Sequence, residues 1–211
     1  MAILHGGWAK DFRRDDKAVV FHAHHIRRHN TKVLDLTADH DAVLAFIENA
    51  PGTSGGDADE CYELVFRRAK QMSWSGKNGA FVLIGDANPH EPDYLQNTEH
   101  LDWREELQDL CAKAKVFGMQ CMRNGGSNLF WDAVAERAGT KLLVLNDFSE
   151  SSDILGAVAY AASGDKEAYD RYSTKVSALR CRSADFSSNL TSLRDSMGGE
   201  SRSPLIYSNI L

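Results

Sequence analysis

The 211-residue sequence predicts an α/β protein with a doubly wound, mostly parallel sheet and a helical extension at its C-terminus. Three observations carry this. The apolar run Ala80 to Ile84 is closed at once by Gly85, Asp86, Asn88 and Pro89, as suits a strand buried on both faces. From residue 80 onward strand-like and helix-like segments alternate three times, and parallel strands with right-handed crossovers follow from that order. Beyond residue 165, seam positions recur alternately every three and four residues, the spacing of a helical seam.

In chain order, residues 2–5 read as a short strand and 8–16 as a helix of about two turns. Residues 17–21 are apolar enough for a strand, which runs into His22-Ala-His24-His25. Alternation over 32–37 predicts a second strand at a sheet edge. A helix opens at Asp39 or His40, with Val43, Leu44 and Ile47 on one face. Residues 51–57 form a Gly-rich loop, and a helix over 58–72 buries Cys61, Leu64, Val65 and Ala69.

Strand 80–85 leads into a long loop, 86–100. The next helix, following Leu101-Asp102-Trp103, turns Leu107, Leu110 and Cys111 inward. A strand at 116–121, a polar loop at 123–127 and a helix at 128–138 follow; Gly139 supplies the left-handed C-cap. The last strand is 141–145 and its helix 152–163. The seam from Tyr169 to Met197 contains one polar position, Ser183. It predicts a helix lying along its own domain with a break near that serine. The other reading is an interaction helix or coiled coil through which copies of the chain form a homo-oligomer. The expected divisions are an α/β domain (1–164), a helical segment (165–199) and an extended tail (200–211).

Composition narrows the class of function. A hydrophobic content of 43% with 26% charged residues is that of a soluble globular chain. A net charge of −6 gives no overall attraction to nucleic acid or to an anionic membrane. No run reaches the roughly 18 apolar residues of a membrane span. Four widely spaced cysteines without a CxxC pair suit free thiols in a reducing, cytoplasmic setting. Neither a GxSxG elbow nor a GxxxxGK[ST] loop occurs, which removes the usual signatures of acyl transfer and phosphate cradling.

The segments Leu34 to Phe46, Gly55 to Glu60 and Leu83-Ile-Gly-Asp-Ala-Asn-Pro-His-Glu-Pro92 together resemble part of the von Willebrand factor A-like domains. Leu101-Asp-Trp103 and Val116 to Gln120 extend the resemblance to about residues 18–163. It implies a Rossmann-like fold that binds protein partners rather than catalysing a reaction. It also implies a metal-ion-dependent adhesion site at the C-terminal edge of the sheet, with Mg²⁺ held by oxygen ligands. By this resemblance Asp57 and Asp86 stand at the second-loop and third-loop metal positions, and Thr53, Ser54, Asn88 and His90 are partner-binding. The first-loop DxSxS is missing from these 211 residues, so the first strand counts as degenerate or missing and the ion site as incomplete.

Plainer roles exist for both carboxylates. Asp57 can cap the following helix with Glu60 as its capping-box partner, and Asp86 can close an Asx-turn. A catalytic alternative starts from His22 and His24, which a strand places on one face where neutral imidazoles can take zinc. With Asp86 they would make a metal-dependent hydrolase.

Overall fold

The computed structural model describes residues 18–25, 29–37, 39, 41–42, 45–46, 49, 58–74, 79–122, 128–179 and 182–198. The expected strand at 2–5, the helix at 8–16, the loops 51–57 and 123–127, and the tail 200–211 lie outside these residues. The strands are β1 (Ala18–His25), β2 (His29–Thr37), β3 (Ala80–Gly85), β4 (Lys115–Cys121) and β5 (Leu143–Leu145). The helices are α1 (Tyr62–Lys70), α2 (Trp103–Cys111), α3 (Leu129–Ala138), α4 (Ser151–Ser163), α5 (Lys166–Ala178) and α6 (Ala184–Ser196). A 3₁₀ turn, Phe148–Glu150, precedes α4. Between β2 and α1, residues 41–42 and 45–46 are helical, and Asp39 Oδ1 accepts from Ala42 N at 3.1 Å. No helix among the described residues is long and apolar enough to cross a membrane.

The protein is α/β, with β3, β4 and β5 forming one parallel sheet in that order. Among the described residues the order runs one way only, so the reversal that defines a doubly wound sheet is not among them. β1 and β2 form a separate antiparallel hairpin, with Phe21 opposite Val33 and His22 opposite Lys32. Three residues separate these strands, a connection that permits antiparallel pairing but no helical crossover.

Helices cover both faces of the parallel sheet, as alternation of side chains along each strand requires. Phe81, Leu83 and Val116 face α1, α2 and α3. Ile84, Phe117, Met119, Leu143 and Leu145 face α4, α5 and α6. The first face is aromatic: Phe130 stacks on Tyr62 at 5.5 Å and meets Trp103 edge-on at 5.0 Å, with Trp131 at 5.2 Å. Each such pair adds about 1 kcal/mol beyond burial. Gly118 lets α3 approach: a Cβ there would lie 3.2 Å from Val134 and 3.3 Å from Leu142. Asn128 caps α3 by accepting from Phe130 N and Trp131 N, and Gly139 ends it at φ 64°.

α6 also closes the sheet. β5 is an edge strand, and the buried Asn189 carboxamide meets the backbone of Val144 on its outer side. Its Oδ1 accepts from Val144 N at 2.9 Å and its Nδ2 donates to Val144 O at 2.6 Å. The side chain thus takes the place of the missing neighbouring strand.

The seam from Tyr169 to Met197 is broken where Ser183 starts α6. Ser183 Oγ accepts from Phe186 N at 3.0 Å and donates to the buried Glu150 carboxylate at 2.6 Å. Arg182 pairs with Asp153 at 2.6 Å and lies over the Phe186 ring. Two carboxylates at the start of α4 therefore hold the turn between α5 and α6. Tyr169, Val176, Phe186, Leu190 and Leu193 are buried against this same chain. Leu179, in the break, is exposed.

Candidate functional site

Parallel register fixes one edge of the sheet. Gly85 pairs with Gln120 and Cys121 with Leu145, so residues 86, 122 and 146 leave three neighbouring strands side by side. Adjacent strands lie about 4.8 Å apart, which places these exits within roughly 10 Å. α3 and α4 start there because each follows a strand directly. α1 starts there as well: Glu60 N donates to Asn88 O at 2.8 Å, and Glu60 bridges Pro89 in parallel fashion.

The loop 86–102 stays on this edge. Trp131 Nε1 donates to Ala87 O at 3.0 Å. Glu91 accepts two bonds from Arg104, at 2.8 and 3.0 Å, and these hold its carboxyl below the usual glutamate range. Asn97 ties the loop to itself, donating to Leu101 O at 2.9 Å and accepting from Leu101 N at 2.9 Å. Asp102 Oδ1 accepts from Arg104 N at 2.8 Å and caps α2.

Of the residues singled out from the sequence, Asp86 and Asn88 are exposed on this edge. His90 is buried rather than presented to a partner. Its ring stacks on Tyr94 at 3.9 Å, and its backbone N donates to the buried Glu63 carboxylate at 3.2 Å. It fastens the loop to the first turn of α1. Thr53, Ser54 and Asp57 lie outside the described residues, although residues 58–60, which follow them, run beside Asn88 and Pro89. His22 and His24 belong to the hairpin, a sheet distinct from the one that ends in Asp86. No group of three or more His, Cys, Asp or Glu able to hold a metal ion is found among the described residues.

Reading single residues missed the edge's most prominent feature. Six large apolar side chains are exposed among the described residues: Val33, Leu95, Met122, Leu129, Phe148 and Leu179. Five lie on this edge. Leu95 is in the loop after β3, Met122 ends β4, Leu129 opens α3 and Phe148 follows β5. Leu179 is in the turn that Glu150 and Asp153 pin to the start of α4. Leu95 and Leu129 are 91% and 88% exposed, values at which an apolar side chain contributes nothing to its own core.

Cys61 lies in the first core, Cys111 is half-buried against it, and Cys121 lies in the second. Burial pushes Cys61 up to about 12, helped by Glu63 and Glu60. Burial pushes Cys121 to about 11, with Asp86 adding to it, and Cys111 to about 11. At pH 8 about one thiol in a thousand or fewer is then a thiolate, the form that reacts. With Cys181→Ser removing the fourth cysteine, the native chain is expected to give no rapid Ellman reaction at pH 8. All three thiols should react once urea unfolds the protein. Stoichiometric labelling of any one in the native state would contradict the burial described.

Fold and edge together define an α/β protein with a three-stranded parallel sheet, helices on both faces and an apolar rim at the strands' C-terminal ends. Comparison with protein-family models, with curated proteins and with solved structures finds no match to this chain.

Proposed function

We propose that this chain is a non-catalytic binding or assembly module of the von Willebrand factor A-like, Rossmann-like type, and that it grips a protein partner with the C-terminal edge of its parallel sheet. The observation that carries this reading is the gathering there of five of the six large apolar residues exposed among the described residues. Scattered apolar residues are ordinary on a surface, but a concentration on one edge marks contact with another molecule. In open α/β sheets this is also the edge at which ligands sit.

Asp86 stands on the rim as a bare carboxylate. Without a DxSxS segment the adhesion site of this reading is a degenerate one. Mg²⁺ is therefore not required for contact in this reading.

The test is capture by the immobilised full chain from a lysate of its own cells. Replacing Leu95 and Phe148 together by Ser is expected to reduce the captured partner at least about tenfold, the loss of two apolar anchors. Val33→Ser, away from the edge, and added EDTA should leave capture unchanged. Equal capture by the folded Leu95→Ser/Phe148→Ser variant, its fold checked by circular dichroism, overturns the reading.

A further inference from the structure

Charge is divided between the two ends of the sheet. At the C-terminal edge, segments 58–61, 86–102 and 146–153 hold ten carboxylates and no Lys or Arg. By sequence the β4–α3 connection adds Arg123, and three cations reach the edge from outside these segments: Arg104 pairs with Glu91 and Asp102, Arg67 with Glu99, and the buried Arg182 side chain with Asp153, which leaves the carboxylates in excess. Asp86 and Asp93 are exposed and in no ion pair among the described residues. Helix N-termini at this edge offset at most about half a charge each, too little to reverse the sign.

The opposite end is the reverse. Segments 70–74, 112–115 and 139–142 hold four Lys and no Asp or Glu; Lys70 is paired with Glu106 and Asp109 and Lys141 with Asp195, and the fourth turn there contains Asp165. Of the exposed large apolar residues among those described, only Val33 comes near that end, two positions from Asp35, which accepts from Ser73 Oγ at 3.4 Å.

From this division we propose that the occupant of the apolar edge is a Lys- or Arg-rich amphipathic helix of another protein, its apolar side on Leu95, Met122, Leu129 and Phe148 and its cations facing Asp86 and Asp93. This deepens the function proposed above and rests on it. A second copy fits poorly in either arrangement. Edge against edge would oppose carboxylate to carboxylate, and head to tail would set the apolar rim against a Lys-bearing end with Val33 alone near it to receive it. A partner joining positive charge to apolar anchors satisfies both halves of the surface.

The probe is a synthetic helical peptide of Leu and Lys in amphipathic order, labelled and followed by fluorescence anisotropy on the full chain. Its counterpart carries Glu in place of Lys. The Leu/Lys peptide is expected to bind at least about tenfold tighter than the Leu/Glu peptide, and to weaken steeply as added salt shortens the screening length below about 8 Å. Asp86→Asn with Asp93→Asn should weaken binding at least about fivefold, as loss of two rim charges does. Lys115→Gln with Lys141→Gln should leave it unchanged.

Equal binding of the two peptides, or an unchanged affinity in the folded Asp86→Asn/Asp93→Asn variant, overturns the proposal. So do salt-sensitive oligomers of the chain alone in sedimentation, which would make a second copy the occupant. If Leu95→Ser/Phe148→Ser abolishes protein capture while the Leu/Lys peptide fails to bind, this inference falls and the binding edge stands. If capture too is indifferent to those residues, both fall.

Discussion

Replacing Asn189 by Leu should lower the unfolding free energy by about 3 kcal/mol, near the sum of two buried backbone groups left without partners. Leucine keeps the branched shape and is the larger side chain, so no cavity opens. What goes is the pair of bonds to Val144 N and Val144 O, at 2.9 and 2.6 Å. Asn189 is 2% exposed, and water cannot readily replace it. Asn189→Asp is a sharper probe. It retains the acceptor for Val144 N but sets a carboxylate oxygen against Val144 O, so its cost should be comparable. Urea unfolding followed by circular dichroism measures both. A loss under about 1 kcal/mol for Asn189→Leu would mean that β5's outer side is not closed as described, since one net buried bond alone contributes about that much.

Glu106→Ala is expected to cost about 2–4 kcal/mol, somewhat under the roughly 3–5 kcal/mol for breaking a fully buried ion pair by removing one member. Glu106 is 4% exposed in α2, where it accepts from Arg67 at 2.9 and 2.7 Å and pairs with Lys70 at 2.7 Å. Both cations come from α1, so this carboxylate joins two helices of the first face. Arg67 and Lys70 still reach solvent in part, which places the loss below that of a fully enclosed pair. Glu106→Gln keeps an acceptor and should cost about half as much.

The pH dependence has a definite sign. The Glu106 bonds raise Arg67 above its ordinary value. Burial opposes the Lys70 charge, yet hydrogen bonds to Asp109 and Glu106 outweigh it and raise that group too. A raised base stabilises the fold below its unfolded pKa and loses that contribution as pH climbs through the folded one. The difference between wild type and Glu106→Ala should thus hold through neutral pH and shrink only above the ordinary lysine range. Equal stability of the two at pH 7 would count against the pair's role.

Much of the parallel half was legible in the sequence because its signals are local. The apolar run before Gly85 gave β3, Asn128 and Gly139 bracket α3, and the seam's polar position fell where α6 begins. The last strand is shorter than its apolar run suggests, since Lys141 and Leu142 serve the turn after α3. Pairing of β1 with β2 is not visible in either strand's own pattern, and because β2 starts at His29, three residues ahead of the alternation that marks it, the short connection shows only in the structure. The candidate site was less legible. Asp86 could be placed from the end of its strand, whereas His90 sits among polar residues and nothing local says that Glu63 lies beneath it. Leu95 and Phe148 stand in polar stretches, Leu129 heads an apolar run whose next two residues are buried, and these positions are up to 53 apart. Only the parallel register gathers them onto one rim.

Because the carboxamide of α6 occupies the outward amide and carbonyl of β5, no foreign strand can be added on that side while the last helix stays seated. Growth of the sheet there, whether by exchange of segments between molecules or by stacking into fibres, must begin with that helix letting go. The helix's grip on one peptide unit is therefore also a guard on the chain's solubility.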